Sequence, residues 1–106
     1  MVKRRGYRIE LGEIESALYR HEQVREAAAV ATSNDEGVTV SVFLSGKGDV
    51  KLSIIALKQF CMKNLPSYMI PDRFMFLDNL PRTSTDKVAY QELRALVEAG
   101  SAAAAP

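Results

Sequence analysis

The sequence predicts an α+β domain: a small, mostly antiparallel sheet, built from a hairpin plus short strands and packed with about three helices. Three observations carry that reading. Val38, Val40, Val42 and Leu44 alternate with Thr39, Ser41 and Phe43, the period of a strand. Ser33-Asn34-Asp35-Glu36-Gly37 separates this run from the small apolar residues 27–32, which makes the two an antiparallel hairpin. Leu11, Ile14 and Leu18, and again Ile54, Leu57, Phe60, Cys61 and Leu65, recur at the spacing of a helix face.

Taken in order, residues 2–9 are basic and β-compatible, with Gly6 set among Lys3, Arg4, Arg5, Tyr7 and Arg8. A helix over 11–20 follows. Glu10, Glu13 and Glu15 lie near its start, where the macrodipole favours acids, and His21-Glu22-Gln23 ends it. Residues 27–32 suit a strand covered on both faces, 38–44 form its partner, and Gly46-Lys47-Gly48-Asp49 is a loop. The second helix spans about 53–64, capped by Ser53 and stopped by Pro66. Residues 73–77 form a short strand after the turn at Pro71-Asp72. A polar loop over 81–86 leads to Lys87 and a final helix carrying Leu93, Leu96 and Val97, closed by Gly100. Thr85 or Asp86 is expected to cap that helix, which sets Lys87 near its N-terminus. Residues 101–106 read as a disordered tail or linker, leaving 1–100 as the folded unit.

The chain has 106 residues, 47% of them hydrophobic, which suits one domain with one core. Fourteen Lys+Arg against 13 Asp+Glu leave a net charge of +1, so no domain-wide grip on nucleic acid or anionic membrane is expected. Cys61 is the single cysteine and His21 the single histidine, so neither a disulfide framework nor a zinc site is expected. Cys61 reads as a buried structural thiol and His21 as a surface residue. No apolar run approaches the ~20 residues of a membrane helix. Met1 is followed by Val-Lys-Arg-Arg rather than an apolar signal core, so a cytoplasmic location is expected.

Two segments carry possible chemistry. Lys3-Arg4-Arg5-Gly6-Tyr7-Arg8 is a solvated edge strand, a nucleic-acid or localisation patch, or a place where Gly6 lets another backbone or a ligand approach. Leu80-Pro81-Arg82-Thr83-Ser84-Thr85-Asp86-Lys87 is either a capping loop or an anion site completed by the Lys87 ammonium.

Together these segments resemble the adenylate-forming enzymes, a superfamily of nonribosomal peptide synthetase adenylation domains, acyl-CoA synthetases and luciferases. The run from Val2 to Glu15, with Arg8-Ile9-Glu10-Leu11-Gly12-Glu13-Ile14-Glu15 at its end, resembles the signature just after that family's hinge. Leu65-Pro66-Ser67-Tyr68-Met69-Ile70-Pro71 is similar to its Leu-Pro-x-Tyr-Met-x-Pro segment, and residues 80–87 resemble the last core motif, which ends in a catalytic lysine. The first run points to amino-acid-activating domains more than to fatty-acyl or acetyl ligases.

The resemblance implies the mobile C-terminal lid of a two-domain, AMP-forming acid–thiol ligase. A carboxylate attacks the α-phosphate of ATP to give an acyl-adenylate and pyrophosphate. The phosphopantetheine thiol of a carrier protein then attacks the adenylate. By the same resemblance Lys87 is the catalytic lysine of the first half-reaction. Lys3 and Gly6 face the site in the second, Gly6 passing the thiol arm, and Arg4, Arg5 and Arg8 meet an acidic carrier protein. ATP and Mg2+ belong mainly to the large N-terminal subdomain, whose hinge residue would lie just before Met1, and the fragment alone is expected to be inactive. Asp86 stands where the motif usually has Gly, and Tyr90 where Arg is common. The alternatives are the lid of an acyl-CoA synthetase and a non-enzymatic interaction domain.

Overall fold

The computed structural model describes residues 2–4, 7–34, 37–48 and 51–98. The basic N-terminal stretch folds back on itself instead of running as one strand. β1 (Val2–Arg4) pairs antiparallel with β2 (Tyr7–Ile9), bringing Lys3 opposite Arg8 and Val2 opposite Ile9 in a two-stranded sheet of its own. Ile9, at the end of β2, is fully buried in the core. Arg5 and Gly6 lie outside the described residues, as do Gly100 and the tail 101–106.

Helix α1 (Leu11–Tyr19) follows, with Ile14, Ala17 and Leu18 buried as the spacing anticipates. His21, expected at the surface, is half-buried just beyond it. Its ring meets Phe60 edge-on with centroids 4.9 Å apart, and its Nδ1 accepts the Gln23 N–H.

β3 (Val24–Asn34) and β4 (Gly37–Gly46) form the expected hairpin, longer than the alternating residues alone mark out. Small residues oppose large ones: Ala27 faces Leu44, Ala28 faces Phe43 and Ala29 faces Val42. The pairing slips between Val24 and Glu26, so Arg25 is an extra residue on β3. The slip puts Val24 on the side of Ala27 and Ala29, and leaves Glu26 on the side of Ala28 and Val30.

Helix α2 (Ile54–Asn64) starts on Ser53, whose Oγ accepts the Ala56 N–H. It ends at Leu65, held extended at φ −131° and ψ 149° before Pro66, as proline requires of its predecessor. A 3₁₀ turn (Ser67–Met69) then feeds β5 (Arg73–Phe76). β5 joins β4 in parallel, giving a mixed sheet of order β3-β4-β5 whose antiparallel pair is much the longer. The direction follows from the crossover through α2, which returns the chain to the end of β4 from which it can only run alongside. Asp72 fixes the register, donating its N–H to the Val40 carbonyl at 2.8 Å and accepting the Val40 N–H on its carboxylate at 2.9 Å.

Both faces of the sheet are covered, which is why β4 is buried from Val40 to Ser45. On one face, Ile14 and Leu18 of α1 and Leu57 and Cys61 of α2 pack with Ala29, Val40, Val42 and Leu44. On the other, helix α3 (Tyr90–Glu98) lays Leu93 and Val97 on Val30, Phe43 and Met75, together with Leu80. Burial pushes the Cys61 thiol up to about 11, so it is protonated and inert at neutral pH.

Candidate functional site

Lys87 belongs to a tight hairpin on the α3 side of the sheet. Arg82 and Val88 form its closing bridge, the Ala89 N–H donates to the Pro81 carbonyl at 2.9 Å, and the Thr83 N–H donates to the Lys87 carbonyl at 2.7 Å. Thr83 also organises the tip. Its carbonyl accepts the Asp86 N–H at 2.9 Å, and its Oγ1 accepts the N–H groups of Thr85 and Lys87, each at 3.3 Å.

This turn corrects the expected cap. α3 begins at Tyr90, and its first bonds, from the Glu92 and Leu93 N–H groups, close on the Ala89 carbonyl. Neither Thr85 nor Asp86 caps it, because both are consumed in the hairpin that precedes it. The surroundings of Lys87 therefore come from the turn and not from a helix N-terminus. Lys87 is exposed, and among the described residues no carboxylate pairs with it, Asp86 included.

Asp86 has φ +64°, the left-handed region. Its departure from the usual glycine is therefore a matter of backbone shape, since Asp is among the few side chains that tolerate this conformation. Asp86→Gly is expected to leave the melting temperature nearly unchanged. Relief of left-handed strain, about 1 kcal/mol, is offset by the 0.5–1 kcal/mol or so that glycine loses in chain entropy on folding. Asp86→Val should lose about 1–2 kcal/mol in a denaturant titration. Equal stability of the two variants would contradict the backbone account.

The base of the hairpin is fastened to the sheet by a residue that sequence reading passed over. Glu26 is buried on β3, where its Oε1 accepts the Ser45 hydroxyl at 2.8 Å and the Leu80 N–H at 3.3 Å, while its Oε2 accepts Arg82. Burial alone would raise its carboxyl, but the hydrogen bonds from Ser45, Arg82 and Leu80 and the Arg82 charge outweigh it and hold the group below the usual carboxylate range. Arg25 ties down the preceding segment, donating to the Asp78 carbonyl at 2.7 Å and Asn79 Oδ1 at 2.8 Å. The available signal was an acid directly before the apolar run 27–32.

Tyr90, in the place of the usual Arg, keeps a polar contact. Its hydroxyl donates to Glu15 Oε2 at 2.7 Å, and the same oxygen accepts the Ala29 N–H at 2.8 Å. Glu15 thereby covers part of the open edge of β3 and links α1 to α3. Burial, then the Glu15 carboxylate, push the Tyr90 phenol up, so it stays a donor.

The second basic segment is carried separately, on the β1–β2 ribbon. Lys3 and Arg4 lie in β1, and Arg8 is exposed on β2 with its Nε donating to Glu10 Oε1 at 2.9 Å, so part of its charge is already engaged. Among the described residues no group of three or more His, Cys, Asp or Glu could hold a metal ion, and no helix is long and apolar enough to cross a membrane.

A family model for the AMP-binding enzyme C-terminal domain matches residues 13–87, ending on Lys87. The chain belongs to that family. It is 43% identical over 88 residues to bacitracin synthase 1 of Bacillus licheniformis, covering 82% of this chain and 2% of that protein. It is 36% identical over 94 residues to the L-proline–[L-prolyl-carrier protein] ligase of Streptomyces coelicolor, covering 88% of this chain and 18% of the ligase. Among solved structures, a four-domain nonribosomal peptide synthetase bound to AMP and glycine superposes with a TM-score of 0.76 at 34% identity, over 86% of this chain and 7% of that one. The α+β architecture thus recurs in that enzyme, and this AMP-binding C-terminal domain spans only a small part of the relatives it matches.

Proposed function

We propose that residues 1–100 form the mobile lid of an ATP-dependent amino-acid adenylating ligase that loads the phosphopantetheine of a carrier protein. The observation that carries this reading is Lys87: an exposed cation without a carboxylate partner among the described residues, on a turn braced by Thr83 and tied to the sheet through Arg82. Both reactants of adenylate formation are anionic. A fixed ammonium at the α-phosphate offsets their repulsion and the charge that develops as pyrophosphate leaves. The solved nonribosomal peptide synthetase bound to glycine and the relative named for a prolyl carrier protein favour an amino acid over a fatty acid.

ATP and Mg2+ would be held by the large N-terminal subdomain. For thioester formation the lid turns so that the β1–β2 ribbon replaces Lys87, with Lys3 at the nucleotide and Gly6 beside the thiol arm. Arg4, Arg5 and Arg8 face the carrier. A glycine suits this place because it adds no side chain to a narrow passage. A reaction that consumes ATP and a carrier-bound thiol fits a cytoplasmic location.

The test uses the whole enzyme that contains this domain, with the half-reactions measured apart. Amino-acid-dependent ATP–pyrophosphate exchange and a thioester on the carrier's phosphopantetheine are expected. Gly6→Leu should lower thioester formation at least tenfold or so while exchange holds, since a misplacement of about 1 Å at a reacting group costs up to 10²-fold. Thioester formed on free coenzyme A in preference to the carrier would assign the lid to an acyl-CoA synthetase. Equal damage to both half-reactions would defeat the alternating lid.

A further inference from the structure

The bonds around Thr83 give the Lys87 turn its shape but do not attach it to anything. Arg25 holds the segment before the hairpin, while the polar attachment of the hairpin itself runs through Glu26. This carboxylate, on a residue only 6% exposed, holds the Leu80 N–H at the entry to the hairpin and the Arg82 guanidinium at its closing bridge. Ser45, its third hydrogen-bond partner, is on the neighbouring strand, so the hairpin is referenced to β3 and β4 together, and the Arg25 guanidinium forms an ion pair with the same carboxylate at 3.4 Å. Arg82 extends the connection toward the lysine, reaching the Asp86 carbonyl at 3.5 Å. Leu80 supplies apolar packing at the entry only.

We infer that Glu26, acting through Arg82, is a positioning residue that fixes the Lys87 turn on the sheet for adenylate formation. The inference rests on the role proposed above for Lys87. Its physical basis is selective: three hydrogen-bond donors and a second guanidinium, that of Arg25, converge on one acceptor-only group, and a carboxylate alone can accept from all three donors without presenting a hydrogen of its own. Glutamine, of nearly the same shape, would turn an amide NH2 toward at least one donor. The turn would then keep its internal bonds and lose its fixed place, and a displacement of about 1 Å at a reacting group costs around 10²-fold.

The experiment is a double-mutant cycle in the whole enzyme, with ATP–pyrophosphate exchange as the readout and thioester formation from supplied acyl-adenylate as the control. Glu26→Gln should lower the kcat of exchange about 10- to 100-fold, with KM for ATP and the control reaction little changed. In the Lys87→Ala background the same substitution should have no further effect, because its route to the chemistry is gone. Equal slowing in both backgrounds would mean that Glu26 acts through general stability, and would overturn the inference. Normal exchange by Glu26→Gln, with Lys87→Ala inactive, would overturn it while leaving the role of Lys87 intact. Normal exchange by Lys87→Ala would instead remove the reading on which it rests. Should Glu26→Gln fail to fold, Arg82→Gln, at a more exposed side chain, carries the same cycle to the same outcomes.

Discussion

Lys87→Ala, in the enzyme that carries this domain, is expected to slow adenylate formation by about a hundredfold or more and to leave thioester formation from supplied adenylate close to normal. A preorganised charged donor in a site closed to water contributes on the order of 3 kcal/mol to the transition state, which is about that factor in rate. Stability should not intervene. Lys87 is exposed, its backbone N–H and carbonyl hold the turn through Thr83, and alanine keeps both of those bonds. The melting temperature of the variant should therefore match the parent within a degree or two or so. Lys87→Arg is expected to recover only part of the rate, since a broad planar fork does not reproduce a compact ammonium at one phosphate oxygen. Pyrophosphate exchange at parental rates in Lys87→Ala would remove Lys87 from the chemistry.

Much of this fold was legible because its signals are local. The alternation of Val38 to Leu44, the Ser53 cap and the stop at Pro66 each depend on a few neighbouring residues, and each stands in the structure, while Asp35 and Glu36 of the expected turn lie outside the described residues. What escaped depends on distant ones. The run Thr83 to Asp86 offers several side chains able to cap a helix. They are taken up instead in a hairpin closed on Thr83 and held to the sheet by Glu26, 54 and 56 positions away along the chain from Leu80 and Arg82. Glu26 itself gives little local warning, since the slip at Arg25 decides which face it joins. The parallel direction of β5 is likewise a property of the crossover and not of its four residues. The Lys87 motif could thus be found by resemblance, whereas the residues that hold it could be found only by folding the chain.

The face that carries the Lys87 turn should also be where the domain is easiest to break. Phe43 is 1% exposed on β4, directly opposite Ala28, and packs in the cluster with Val30, Met75, Leu80, Leu93 and Val97. Its β3 partner is an alanine, too small to fill the space it would vacate, and Met75, its partner on β5, can relax into only part of it. Phe43→Ala is expected to cost about 3–5 kcal/mol, a large share of the 5–15 kcal/mol or so that typically holds a domain together. At about 4–8 °C per kcal/mol for a chain of this size, the melting temperature should fall by more than 10 °C. Phe43→Leu should cost far less, because it keeps most of the buried volume. Amide exchange should show where the loss falls. Protection should drop first in α3 and the hairpin 80–88, which rest on Phe43, and last in α1 and α2, which pack on the opposite face. Uniform loss of protection, or a melting temperature within a few degrees of the parent, would mean that α3 is not held by this cluster. The ordered outcome would instead make the packing under α3 a second support for the turn, independent of the Glu26 carboxylate.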